Sequence, residues 1–174
     1  MRLEIMSLKR RIFALSFAVL AALQASACSR NTIPSDSTVS TVNKGSLEEE
    51  ILFYTNKYRK SKGLAPLELV ETVSVQAREH SRDMAKGRTG FGHDGFEERI
   101  DDISKKMGSV RGAAENVAYG TLDAEAVVKG WIKSPGHRKN LEGNYNVIGI
   151  GTADKGRITF FTQIFINKPK AASK

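Results

Sequence analysis

VIGIGTADKGRITFFTQIFI, residues 147–166, is the stretch whose reading decides the fold. Val147 to Thr152 and Ile158 to Ile166 are rich in β-branched and aromatic residues and have the length of strands. Asp154-Lys155-Gly156-Arg157 between them supplies the turn chemistry of a hairpin. Gly149 and Gly151 lack the spacing of a phosphate loop, and inside a strand they let a helix approach the backbone closely. Such a hairpin needs helices to cover it, and the helical patterns all lie upstream.

Ser46-x-x-Glu49 is a capping box that opens a helix with Leu47, Ile51, Tyr54 and Tyr58 on one face, closed by Gly63. Leu64, Pro66, Leu67 and Leu69 form an apolar connector. A second helix carries Val73, Ala77, His80 and Met84 on one stripe and stops at Gly87. A third runs from Phe96 to Lys106, and a fourth from Ala124 to Lys133 with Val127, Val128 and Trp131 facing inward. Residues 115–119 have the length of a strand but an ambiguous pattern. Helices first and strands last predict an α+β fold, with a small antiparallel sheet covered by helices.

The chain has 174 residues, 40% of them hydrophobic and 26% charged, which fits one globular domain plus non-globular sequence. Lys9, Arg10 and Arg11 precede an apolar run from Ile12 to Leu23, followed by Ala25-Ser26-Ala27. This reads as a secretory signal over residues 1–27 and predicts an exported protein. Cys28, the sole cysteine, stands where lipid-modified bacterial proteins carry their acylated residue, although Ala25 replaces the usual large aliphatic residue three positions before it. Acylation of Cys28 would anchor the chain to a membrane, whereas ordinary cleavage after Ala27 would release it. Residues 28–45 are poor in large apolar side chains and read as a tether. The domain then covers 46–168, and a basic tail covers 169–174.

The formal charge of +8 loses four basic residues and one acid with the signal, leaving 23 basic against 18 acidic. The densest basic group, Lys57, Arg59, Lys60 and Lys62, reads as a solvated helix face, so nucleic acid is not an expected partner. A monomer is expected.

Few residues can carry chemistry. His80 falls on the buried stripe of helix two and reads as a core histidine. His93 lies in the glycine-broken loop Gly90-Phe91-Gly92-His93-Asp94-Gly95, with no packing duty to explain it. Glu115 sits among small and apolar residues and, if buried, must find donors or a cation. His137 follows Ser134-Pro135-Gly136, a stop that ends helix four and fixes a corner. Trp131 reads as core. Ser134 reads as a helix-ending serine, not a nucleophile.

"NKYRKSKGLAPL", "AREHSRDMA", "FGHDGF", "AAENVAYG", "WIKSPGHRKNL", "NVIGIGTA" and "FFTQIF", in this order over residues 47–166, resemble the bacterial branch of the CAP superfamily. These are the SCP-like extracellular proteins related to cysteine-rich secretory proteins, antigen 5 and plant pathogenesis-related 1 proteins. The resemblance implies an α-β-α sandwich with a cleft that carries two histidines and usually two glutamates. Carried over, His93 is the first histidine, Glu115 the glutamate of the "GEN"-like motif and His137 the second histidine. Ser134 stands where animal and plant members have the other glutamate, and the loop to His137 is shorter.

The resemblance also implies that the histidine pair, His93 and His137, can hold a divalent metal such as zinc in some members. If Glu115 coordinates too, three ligands result. If it accepts a hydrogen bond from an imidazole instead, which is the favoured arrangement, two remain and affinity should be weak. The functional expectation is therefore an exported, lipid-anchored binding module for a lipid, sterol or cell-wall ligand, leaning away from an enzyme. The alternative is a metal-assisted, protease-like hydrolase with Glu115 as general base. A glycosidase would need a second facing acid, and Glu97, Glu98, Asp101 and Asp102 read as an exposed helix face. A purely structural role for the trio as a hydrogen-bonded brace is a third reading.

Overall fold

The computed structural model describes residues 45–169. The expected signal segment, Cys28, the expected tether up to residue 44 and the tail from residue 170 lie outside the described residues. Among the described residues, no helix is long and apolar enough to cross a membrane.

Helix α1, Leu47–Ser61, begins at the expected capping box: Ser46 Oγ accepts from the Glu49 N–H, and the Glu49 carboxylate accepts from the Ser46 N–H. Strand β1, Glu68–Leu69, precedes α2, Glu71–Lys86, which ends where Gly87 adopts a left-handed φ of 69°. Next come α3, Phe96–Met107; β2, Gly112–Gly120; α4, Ala124–Lys133; α5, Pro135–Leu141; β3, Val147–Lys155; and β4, Ile158–Asn167. The hairpin turn falls at Gly156-Arg157, with Lys155 paired to Ile158 and Gly156 at a φ of 63°.

The strand order is β1-β3-β4-β2, antiparallel except that β1 runs parallel to β3. The sheet is therefore mixed, a correction to the antiparallel expectation. The apolar connector after α1 doubles back along β3 for only two residues, too short a run for any periodicity to show.

Alternation along the strands builds two cores, one on each face of the sheet. Ile148, Ile150, Phe161 and Phe165 pack with Ile51 of α1, Val127, Val128 and Trp131 of α4, and Leu141 of α5. Val147, Ile164 and Ile166 pack with Val73 and Ala77 of α2 and Ile103 of α3. The result is an α-β-α sandwich. Gly149 and Gly151 face α2 as expected, because a Cβ on Gly151 would lie 2.1 Å from the Arg78 nitrogen.

Two sequence expectations change. Arg59 is not on a solvated face: it is 2% exposed, and its guanidinium donates to the carbonyls of Ala65, Leu141, Gly143 and Tyr145. A basic run looks like a solvated face because sequence cannot reveal a pocket of carbonyls assembled from the far end of the chain. Ser134-Pro135-Gly136 does end α4, but it also starts α5, with Pro135 in the first turn. Proline lacks the N–H that a first turn would leave unpaired, so the residue that stops one helix suits the start of the next.

Candidate functional site

Glu115 and Asn116 are consecutive on β2, so their side chains leave opposite faces of the sheet. β2 is an edge strand; the His93 ring bonds the Glu115 carboxylate, and the backbone carbonyl of His137 bonds the Asn116 amide.

On the α2 and α3 face, the Glu115 side chain is 2% exposed. Arg99 of α3 reaches it through Nε, 3.1 Å from Oε2, and Nη2, 2.8 Å from each oxygen. His93 Nδ1 lies 2.9 Å from Oε1. An ionised carboxylate only accepts, so His93 donates through Nδ1 and its Nε2 points away from the acid. The imidazole side chain is 53% exposed. Two further bonds hold its loop: Arg99 Nη1 donates to the Asp94 carbonyl at 2.7 Å, and His80 Nε2 donates to the Gly92 carbonyl at 2.9 Å. Gly87 and Gly95, at positive φ, let the segment leave α2 and enter α3 sharply.

His80 is buried, and its Nε2 also lies 3.8 Å from Glu115 Oε1. Burial pushes its imidazole below the ordinary 6.5, partly opposed by the Gly92 bond and the Glu115 charge. At neutral pH it is an uncharged donor that fixes the loop.

On the other face, Asn116 Nδ2 donates to the His137 carbonyl at 3.2 Å. Asn140, one turn along α5, donates to the Glu115 carbonyl at 3.1 Å and to Asn116 Oδ1 at 2.9 Å. His137 is partly buried. Desolvation lowers its pKa below the ordinary 6.5, and His93 lowers it further. Ser134 joins α4 to α5 and makes no side-chain cap bond to α5. Trp131 is 2% exposed and donates from Nε1 to the Val117 carbonyl at 3.3 Å, a core residue bracing the same strand.

Sequence reasoning missed Arg99, Asn116 and Asn140. The demand of a buried carboxylate for a cation was a signal for Arg99, but nothing in its own helix distinguished it from the exposed Glu97, Glu98, Asp101 and Asp102. Both Glu115 oxygens are committed to Arg99 and His93, which leaves two imidazoles as metal donors. Among the described residues, no group of three or more His, Cys, Asp or Glu side chains is placed to hold a metal ion. A resident zinc does not fit this donor set.

A family model described as the cysteine-rich secretory protein family, CAP, matches residues 52–165. The chain belongs to the CAP family. Two Bacillus subtilis proteins carry similar CAP segments. "Uncharacterized protein YkwD" is 41% identical over 124 residues, covering 70% of this chain and 47% of that protein. "Uncharacterized membrane protein YlbC" is 36% identical over 133 residues, covering 70% and 34%. The CAP chain described here thus spans about half and about a third of these relatives' lengths.

Among solved structures, an extracellular SCP-domain protein from Bacillus anthracis is 32% identical with a TM-score of 0.60, covering 70% of this chain and 40% of that one. An outer surface protein from Borrelia burgdorferi is 25% identical with a TM-score of 0.60, covering 70% and 95%. CAP domains of the extracellular type are what this chain is similar to.

Proposed function

We propose that the protein is an exported, envelope-tethered binding module whose CAP domain presents His93 and His137 to a ligand, with Glu115 orienting the His93 ring and Asn116 holding the backbone of His137. The tether is the stretch from Cys28 to residue 45, and acylated Cys28 is its anchor. Export agrees with the sequence pattern of residues 1–27 and with the extracellular and outer-surface names of the similar structures.

The observation that supports binding over catalysis is the state of Glu115. A general base needs a lone pair aimed at a water or a substrate proton. Here the carboxylate accepts three bonds from Arg99 and one from His93 with its side chain 2% exposed. That arrangement orients an imidazole and does not offer a base, so the hydrolase alternative is the weaker reading.

Co-sedimentation of the purified protein with isolated bacterial cell envelopes tests the proposal. The bound fraction should fall for His93→Ala and for His137→Ala. Equal binding by wild type and both variants would show that the imidazole face is not the binding face.

A further inference from the structure

Six large hydrophobic side chains are exposed among the described residues, and four of them gather at one end of the sheet: Phe91, Tyr119, Leu122 and Ile158, between 38% and 54% exposed. Exposed apolar side chains gathered at one place often mark a binding surface. Its centre is aromatic. The Phe91 and Tyr119 rings meet edge-on at 4.7 Å, and Tyr119 stacks on Phe160 at 5.6 Å with an interplanar angle of 22°.

The patch continues the candidate site. Phe91 lies two residues before His93 on the same loop. Tyr119 lies four residues after Glu115 on β2, hence on the same face, and pairs in register with Phe160.

Two observations restrict what can settle there. An extended peptide adding to the β2 edge would need free backbone groups, yet the Glu115 and Val117 carbonyls are already taken by Asn140 and Trp131. An anionic polymer or bilayer would need a basic rim. The charged residues within three positions of the exposed patch side chains, Arg88, Asp94, Asp123, Glu125, Lys155 and Arg157, are three of each sign. What remains complementary is an uncharged ligand with apolar faces and a hydroxylated rim. A pyranose ring has that chemistry: its C–H faces lie against aromatic rings, and its hydroxyls reach hydrogen-bonding groups such as the outward nitrogen of His93.

We propose that Phe91, Tyr119 and Phe160 form a stacking platform for an uncharged glycan strand that runs from His93 along the end of the sheet. This deepens the binding-module reading and rests on it for the role of His93.

The test is calorimetric titration of the purified protein with chitohexaose, an uncharged hexasaccharide. Chitohexaose should bind saturably. Tyr119→Ala and Phe91→Ala should each weaken it by about tenfold or more, and Tyr119→Phe should retain binding. Phe53→Ala, at an exposed ring elsewhere, should change nothing. Urea midpoints equal to wild type would show that these exposed substitutions leave the fold intact.

The platform is overturned if chitohexaose does not bind wild type at millimolar concentration, or binds Tyr119→Ala equally well. It is also overturned if sedimentation shows a wild-type dimer that Tyr119→Ala dissociates, because the patch would then be a self-association face. His93→Ala separates the two proposals. Glycan binding that survives it but not Tyr119→Ala leaves the platform standing and removes the imidazoles from the site. Envelope binding that depends on His93 without any glycan binding does the reverse.

Discussion

Replacing Arg99 with methionine keeps most of the volume of the side chain but strands the Glu115 carboxylate. Three hydrogen bonds between 2.8 and 3.1 Å are lost from an acid that is 2% exposed, with a cation itself only 11% exposed. Breaking a buried pair by removing one partner costs about 3–5 kcal/mol, against about 0–1 for an exposed pair. With a urea slope of about 1–3 kcal/mol per molar, the unfolding midpoint should fall by at least about 1 M.

Trp131, the only tryptophan and buried, reports the transition by fluorescence. Should Arg99→Met leave too little folded protein, the double variant Arg99→Met/Glu115→Met provides the comparison. It removes both charges and should recover most of the loss. A cost for Arg99→Met below about 1 kcal/mol would refute the reasoning, because Glu115 would then be solvated and free to act as a base.

Gly151→Ala should destabilise the domain by at least about 1–3 kcal/mol in a thermal melt, since its Cβ would meet helix backbone at 2.1 and 2.2 Å where ordinary contact begins at 3.4 Å. Burial lowers the His80 pKa below 6.5, so the unfolded chain takes up a proton that the folded one refuses. Stability is therefore full above about 6.5 and declines as pH falls, by at most about 1.4 kcal/mol per pH unit from this one group. Compared in a His137→Ala background, where the other lowered imidazole is absent, His80→Gln should flatten urea stability between pH 4.5 and 6.5. An unchanged slope would mean that His80 is not held neutral. Mass spectrometry of the mature N-terminus should find Cys28 acylated; an unmodified cysteine there, or cleavage elsewhere, removes the anchor.

The parts of the fold that announce themselves over several residues were legible in the sequence. The capping box at Ser46, the stripe from Val73 to Met84 and the hairpin at Gly156 each repeat a local rule, and the chain obeys it. β1 was not legible, because two residues carry no period and its partner lies about eighty positions away. The loop of His93 and the acid at Glu115 could be picked out as residues without a packing reason. Their union depends on Arg99, Asn116 and Asn140, polar residues whose partners are backbone or side chains on other elements. A helix-stopping Pro135 could be read, but not that the same proline opens α5 and sets His137 in its first turn. Sequence shows which groups need partners far better than it shows who the partners are.

Arg59 carries a consequence for a protein with one cysteine. Domains that work outside the cell commonly close their distant segments with sulfur bridges, and a chain with a single thiol has none within itself. Here one guanidinium, hydrogen-bonded to carbonyls as far as 86 positions along the chain, draws the first helix against the segment that follows the fifth. A clasp made of a permanent cation and peptide oxygens has no redox state. Its closure should be indifferent to reductants and oxidants, and it needs no oxidative maturation after export.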